Sequence, residues 1–167
     1  VGFTNNAENS FHVVRGTGAN ATAILDGFTV TGGNANGATN DDRGGGFLFL
    51  GSGQATIVNC LVQGNRCTFG GGAGYINGAS SPTFTLCRFV HNFGGSFGGA
   101  FDMASGVGST FRRCTFTGNS AARAGGIEIF GSSPVKVYDC LFTGNTSTGS
   151  GGGGAIFISS SAAAVRG

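Results

Sequence analysis

The feature that most constrains this chain is an internal repeat of 26 or 27 residues. A cysteine recurs at spacings of 27, 27 and 26 residues, and an asparagine follows each cysteine by five positions. The cysteines are Cys60, Cys87, Cys114 and Cys140, and the asparagines are Asn65, Asn92, Asn119 and Asn145. Apolar residues flank each cysteine, and a glycine pair precedes a mostly apolar stretch that closes each unit. A fixed period in this range indicates an architecture built from stacked repeats.

The repeat units predict β-strands and no long helices. Apolar residues alternate over short stretches between Gly and Asn, which is typical of strands. The chain has 35 glycines and only 10% charged residues, too few for long amphipathic helices. It lacks the run of about 20 apolar residues that a transmembrane helix needs. Its net charge of +2 is too small to indicate a nucleic-acid partner.

These observations predict an all-β fold, a right-handed single-stranded parallel β-helix of about five to six rungs of 26–27 residues. Residues 1–167 are interpreted as a single domain, either a segment of a longer protein or a filament subunit. Rungs stack about 4.8 Å apart, so equivalent side chains form ladders. We expect three columns. The four repeat cysteines form an inward column of free thiols, the four repeat asparagines form a second column, and Phe89, Phe116 and Phe142 belong to an apolar third. Gly64, Gly118 and Gly144 precede the asparagines, where a positive φ is expected, and His91 replaces glycine there.

No catalytic, cofactor-binding or metal-binding residues are predicted, and no cofactor is expected. In the repeat frame, Asp102 and Glu128 lie one rung apart but offset by one position. Strand alternation then separates their carboxyl groups. The adjacent Asp41 and Asp42 are interpreted as a solvated loop tip. His12 and His91 lie in different units, without a nearby acid or nucleophile. Cys67 stands outside the cysteine column at a turn, where we expect its thiol to be exposed.

One surface feature has two interpretations that the sequence leaves open. Basic residues fall close together in the repeat frame, around the cysteine column. They are Arg88, Arg112, Arg113 and Lys136. Such a basic patch would contact acidic glycans or another negative surface, or it would serve as ordinary solubilising charge.

Several stretches resemble a known family. Residues 9–14 (NSFHVV), 25–37 (LDGFTVTGGNANG) and 44–46 (GGG) resemble bacterial right-handed parallel β-helix repeat proteins. Units such as residues 114–121 (CTFTGNSA), followed by 125–127 (GGI), are similar to polymorphic outer-membrane protein repeats. The resemblance implies a large secreted or surface-anchored bacterial protein of which this chain is an internal segment. The wider superfamily includes polysaccharide lyases, phage tailspikes and adhesins, but no catalytic motif transfers residue by residue.

A regular repeat without a group of residues suited to catalysis favours a non-enzymatic role. The first hypothesis is an extracellular or cell-surface structural or adhesive β-helix with a glycan or other cell-surface ligand. The alternative is a polysaccharide-active scaffold, lyase-like or hydrolase-like, whose catalytic site is not visible in these residues. No end cap is recognisable, so the end rungs would have unpaired backbone groups. Head-to-tail self-association into filaments is therefore also expected.

Overall fold

The chain winds into a parallel β-solenoid in which each coil contains four short strands. A computed structural model describes residues 8–104, 107–131, 134–159 and 162–167. Each strand pairs in parallel with the equivalent strand of the next coil. Within the described ranges there is no α-helix, and a 3-10 helix spans Thr39–Asp42. No helix in these ranges is long and apolar enough to cross a membrane. The predicted all-β parallel architecture is confirmed.

The strands form four sheets that run along the solenoid. Sheet A contains β1 (Val14–Arg15), β5 (Phe47–Phe49), β9 (Gly74–Ile76), β13 (Phe101–Met103), β17 (Ile127–Phe130) and β21 (Ile156–Ser159). Sheet B contains β2 (Ile24–Asp26), β6 (Thr56–Val58), β10 (Thr83–Thr85), β14 (Thr110–Arg112), β18 (Lys136–Tyr138) and β22 (Ala164–Arg166). Sheet C contains β3 (Thr29–Thr31), β7 (Leu61–Gln63), β11 (Arg88–Val90), β15 (Thr115–Thr117) and β19 (Leu141–Thr143). Sheet D contains β4 (Asn34–Ala35), β8 (Arg66–Cys67), β12 (Phe93–Gly94), β16 (Ser120–Ala121) and β20 (Thr146–Ser147).

Aromatic side chains fill the interior between the sheets. Phe89, Phe116 and Phe142 lie on successive coils of sheet C, with ring centroids 4.8 Å and then 4.5 Å apart. On sheet B, the rings of Phe84 and Phe111 stack at 4.9 Å. Burying rings of this size supplies much of the hydrophobic stabilisation, and stacked pairs add to it. The core therefore consists of aligned columns, one apolar side chain per coil.

The asparagine column is a continuous hydrogen-bonded ladder beside this core. The backbone N–H and the Nδ2 of Asn65 both donate to Oδ1 of Asn92, at 3.1 Å each. Asn92 donates in the same way to Asn119, and Asn119 to Asn145. Each Nδ2 also donates to a main-chain carbonyl of the preceding coil, as Asn92 does to Val62. The side chains thus satisfy backbone groups that the turns leave without strand partners.

The cysteine column lies inside the solenoid as free thiols. Cys60, Cys87 and Cys114 are buried, and Cys140 is half-buried near one end. Each thiol donates to the carbonyl oxygen two residues earlier, at 3.2–3.4 Å. Contacts with the thiols of Cys140 and Cys87 raise the pKa of Cys114. The four sulfur atoms therefore occupy the space of small apolar side chains.

The expectation that Cys67 is exposed is wrong. Cys67 belongs to β8, where it pairs in register with Ala35 and Gly94, and only 3% of its surface is exposed. Its column faces inward, and the equivalent residues of the other coils are small. Burial raises the pKa of the Cys67 thiol to about 12. The thiol is therefore neutral and shielded from solvent.

Two columns of left-handed residues turn the chain between strands. The first contains the predicted Gly64, Gly118 and Gly144, each with φ 63°, and His91 with φ 51°. The second column lies between sheets B and C, and in the last four units it comes directly before the cysteine. Its members are Gly27, Asn59, Leu86, Arg113 and Asp139. Left-handed backbone at non-glycine residues costs roughly 1–2 kcal/mol each, so stacking must hold these corners in place.

Candidate functional site

A groove of about 300 Å³ lies on the outer face of sheet A. It combines carboxyl, guanidinium and phenol groups with aromatic rings, a mixture typical of ligand sites. The residues that line it are Arg43, Tyr75, Phe97, Asp102, Ala104, Arg123, Glu128 and Phe130.

Two carboxyl groups meet in this groove. Asp102 on β13 and Glu128 on β17 are register partners, so their side chains project from the same face on neighbouring strands. Their neighbours Phe101 and Ile127 are also partners and face the core. The predicted offset between Asp102 and Glu128 is therefore wrong.

The reason for the error is the length of one turn. Six residues, 95–100, connect β12 to β13, whereas five residues, 122–126, connect β16 to β17. Because Phe101 pairs with Ile127, the pair Gly98-Gly99 aligns with Ala124-Gly125 rather than with Gly125-Gly126. Alignment of the apolar strands, instead of the glycine pairs, would have found the carboxyl pair. The apolar strands set the register because they bury the larger side chains.

Both carboxyl groups point away from the core and are nevertheless buried. Asp102 is 6% exposed and Glu128 is 1% exposed. The turns between sheets D and A fold over this face, and Gly70 lies directly against Asp102. A Cβ on Gly70 would collide with the Asp102 carboxylate. Because glycine has no side chain, its presence at position 70 leaves room for the Asp102 carboxyl group.

Burial and charge set the protonation of Asp102. Desolvation raises its pKa to about 7, the negative charge of Glu128 adds to the rise, and Arg43 and Arg123 oppose it. Near neutral pH the Asp102 carboxyl is consequently protonated in a large fraction of molecules. A carboxyl group with this property acts as a proton donor in chemistry that an ordinary aspartate does not support.

Arg43 forms one wall of the groove. Its Nη1 donates to Oη of Tyr75 at 2.9 Å, and its Nε donates to Asp42 at 3.2 Å. The guanidinium carbon lies 4.0 Å from the ring centroid of Phe69. Burial raises the pKa of Tyr75, so its phenol stays protonated. These contacts fix the positive charge of Arg43 beside the carboxyl pair.

Arg123 forms the opposite wall. Its Nη2 donates to Oε1 of Glu128 in an ion pair. Its guanidinium carbon lies 4.5 Å from the ring centroid of Phe97 and 4.9 Å from that of Phe157. The aromatic rings and the ion pair together hold the guanidinium group in one orientation.

Two polar atoms at this wall have no hydrogen-bond partner among the described residues. They are Nε of Arg123, a donor, and Oε2 of Glu128, an acceptor. Buried polar atoms normally find partners, so an unpaired donor and an unpaired acceptor in the two residues of one ion pair indicate a place for a ligand or water. A hydroxyl group has the chemistry that both kinds of atom require, since it accepts one hydrogen bond and donates another. The described residues contain no cluster of three or more His, Cys, Asp or Glu suited to a metal ion.

The predicted basic patch lies elsewhere. Arg88, Arg112, Arg113 and Lys136 are all exposed and surround the corner between sheets B and C. None of the four lines the groove. The patch stays a prediction.

The expectation that His12 has no acid nearby is wrong. Its Nε2 lies 3.2 Å from Oδ1 of Asp41, and its Nδ1 lies 2.9 Å from the carbonyl oxygen of Gly44. The segment 39–42 forms a 3-10 helix that returns to the preceding coil. The sequence pattern could not show this contact, because the first unit is longer than the others. Both ring nitrogens are occupied, so His12 links the two segments.

Parallel strands stacked coil on coil around an aromatic core, with a polar groove on one lateral face, define a parallel β-solenoid. The handedness follows from comparison with protein families, in which residues 3–167 match the right handed beta helix region. The chain belongs to this family. Neither the curated proteins nor the solved structures contain a match.

Proposed function

We propose that this protein is an extracellular or cell-surface β-helix that binds glycans in the groove on sheet A. The observation that carries the proposal is that one ion pair has an unpaired donor, Nε of Arg123, and an unpaired acceptor, Oε2 of Glu128. A sugar hydroxyl supplies the complementary acceptor and donor in one group. Glycans present such hydroxyl groups on every residue.

The rest of the groove suits the same ligand. Phe97 and Phe130 offer aromatic surface for the apolar face of a sugar ring, and Phe130 is 49% exposed. Asp102 and Arg43 add further groups able to bond hydroxyl oxygens. Sites with a few convergent polar groups among apolar walls are the usual form of small-ligand pockets.

The resemblance to bacterial surface β-helix repeats supports an extracellular position and an adhesive role. The free cysteines agree with such a position, because four of the five are buried and Cys140 is half-buried. Burial protects thiols from oxidation, so unpaired cysteines are compatible with an oxidising exterior. The preference for a non-enzymatic role, in contrast, depended on the absence of a carboxyl pair. Asp102 and Glu128 remove that premise.

The binding proposal is tested with Glu128→Gln. The amide replaces the free acceptor and the ion pair with Arg123, so binding should weaken more than tenfold. A glycan array identifies a bound glycan, and titration calorimetry measures its affinity. Asp139→Asn is the matched control, because Asp139 is exposed and does not line the groove. A wild-type protein that retains no glycan, or a Glu128→Gln protein with unchanged affinity, would contradict the proposal.

We further propose that the isolated chain associates end to end. The outer edges of β19, β20, β21 and β22 have no strand partner among the described residues. Ile158 and Val165, which belong to inward-facing columns on these last strands, are 47% and 48% exposed. An edge with unpaired backbone and exposed apolar side chains favours addition of another strand.

A further inference from the structure

We infer that the corner between sheets B and C binds a bilayer of anionic lipids, with Leu86 inserted among the headgroups and the basic patch against their negative charges. This corner is separate from the groove on sheet A, and a lipid surface is a different partner from the glycan proposed there. Two observations support the inference: an exposed leucine in a strained backbone conformation, and the concentration of positive charge around it.

Leu86 is unfavourable for the fold in two ways. Its backbone is left-handed, with φ 55°, a conformation that a bulky side chain rarely adopts. Its side chain is 50% exposed, so it contributes little to the core. The equivalent residues on the two preceding coils are Gly27 and Asn59, which suit this conformation. A strained residue that the core does not need indicates a function at the surface.

Basic side chains surround Leu86 on its own coil and the next one. The backbone N–H of Leu86 donates to the carbonyl oxygen of Arg112 at 3.0 Å, and Arg113 is the equivalent residue one coil later. Arg88 lies two residues further along the chain. All three arginines are exposed. An exposed apolar side chain among guanidinium groups suits insertion between lipid headgroups that bear phosphate.

The positive charge of the chain is concentrated at this corner. Lys136 and Arg166 continue the arginines onto the next two coils, and Asp139 lies among them. Five positive charges and one negative charge give this region +4, whereas the whole chain has +2 and the remaining residues therefore sum to −2. Asp26 lies two coils before Leu86, where the Nδ2 of Asn59 donates to it. The field at this corner therefore attracts a negatively charged surface.

Apolar and aromatic side chains at the corner favour a bilayer over a soluble polyanion. Leu141 is 61% exposed, in the same column of sheet C as Arg88. Tyr138 lies beside Arg112 on sheet B and is partly exposed, and tyrosine is enriched at the interface between membrane and water. A soluble polyanion offers charge alone, whereas a bilayer offers charge together with an apolar phase for Leu86.

Vesicle flotation of the full chain tests the partner. The probes are vesicles of one part phosphatidylglycerol to three parts phosphatidylcholine, vesicles of phosphatidylcholine alone, and soluble dextran sulfate. We expect binding to the anionic vesicles that weakens with added salt, because salt screens exposed charges, and no binding to the neutral vesicles. Binding to dextran sulfate without binding to anionic vesicles would overturn the proposal and assign the corner to a soluble polyanion.

A double variant, Arg112→Gln with Arg113→Asn, tests the charges. Each basic group near an anionic surface strengthens binding about fivefold, so this variant should bind the anionic vesicles about 25-fold more weakly. Arg15→Gln with Arg66→Gln is the matched control, because both residues are exposed on other sheets and the two double variants have the same net charge. Equal binding by the two double variants would overturn the assignment of the corner.

Leu86→Asn separates insertion from stability. Asparagine suits the left-handed corner, as Asn59 does one coil earlier, so the variant should resist urea at least as well as the wild type. Its binding to anionic vesicles should be about threefold weaker or more, because the inserted apolar group is lost. Phe93→Asn is the control, since Phe93 is 38% exposed on sheet D and should not contact the bilayer. Unchanged binding by Leu86→Asn would overturn the insertion of this residue.

Fluorescence reports the insertion directly. The chain has no tryptophan, so Leu86→Trp contains a single indole fluorophore. Its emission should shift to the blue on anionic vesicles and be quenched by lipids with brominated acyl chains, whereas the emission of Phe93→Trp should not change. A bound Leu86→Trp protein with unshifted emission, or a wild type that does not bind anionic vesicles, overturns the proposal. Retention of glycans by the groove on sheet A is measured separately and does not depend on either result.

Discussion

Single residues in this solenoid stabilise it through contacts with the equivalent residues on neighbouring coils. Asn92 shows this most clearly, because its Oδ1 accepts from Asn65 while its Nδ2 donates to Val62 and Asn119. The turn beside it contains His91 in a left-handed conformation. One side chain therefore satisfies two backbone groups of the preceding coil, bonds the side chain of Asn119 on the next coil, and lies beside a strained corner.

Asn92→Ala tests this function of the ladder. The substitution leaves the carbonyl of Val62 and the backbone N–H of Asn65 without their partners in a buried region. Each such group costs about 1–3 kcal/mol, so we expect a loss of about 2–6 kcal/mol in the free energy of unfolding, measured by urea denaturation. Arg88→Ala, at an exposed position, should change stability by about 0.5 kcal/mol or less. Equal stabilities for the two variants would show that the ladder contributes nothing.

At the scale of strands and turns, apolar side chains set the register and turn length adjusts to it. The repeat, the parallel pairing and the columns of Cys, Asn and Phe could be predicted, because identical residues at a fixed period must stack. The meeting of Asp102 and Glu128 could not be predicted from the glycine pairs. Glycine pairs mark the turn only approximately, since Ala124 replaces the first glycine where the connection is one residue shorter. Arg43 and Arg123 were missed for a related reason, as they lie in turns whose path the period does not determine.

Gly70→Ala tests how a turn shapes the groove. A methyl group on Gly70 would collide with the carboxylate of Asp102, which must then move. The strands keep their pairing, so we expect wild-type circular dichroism with glycan affinity reduced more than tenfold by calorimetry. Gly108→Ala is the matched control, because a Cβ there comes no closer than 3.5 Å to a neighbouring atom. Unchanged affinity in Gly70→Ala would show that the position of the Asp102 carboxylate does not matter for binding.

For the whole molecule, the consequence of stacking is that each coil is stabilised by the coils on either side. The central coils bury their inward residues completely, whereas Ile158 on the last strand of sheet A is 47% exposed and Ile129 in the same column is buried. Leu25 at the opposite end of sheet B is half-buried, whereas its register partner Ile57 is buried. Repeat proteins of this kind gain stability from every added interface between neighbours.

Ile158→Lys tests end-to-end association of the isolated chain. Parallel pairing of one copy on the next would cover Ile158 and continue the sheets, and a contact between unlike ends forms open chains of copies. We expect the wild type to sediment as elongated species that grow with concentration in the micromolar range. An inward-facing lysine at the open end charges the surface that the next copy must cover, so Ile158→Lys should sediment as a monomer. Thr115→Lys, on the lateral face of sheet C, should associate like the wild type. A monodisperse wild-type monomer at every concentration would contradict the association.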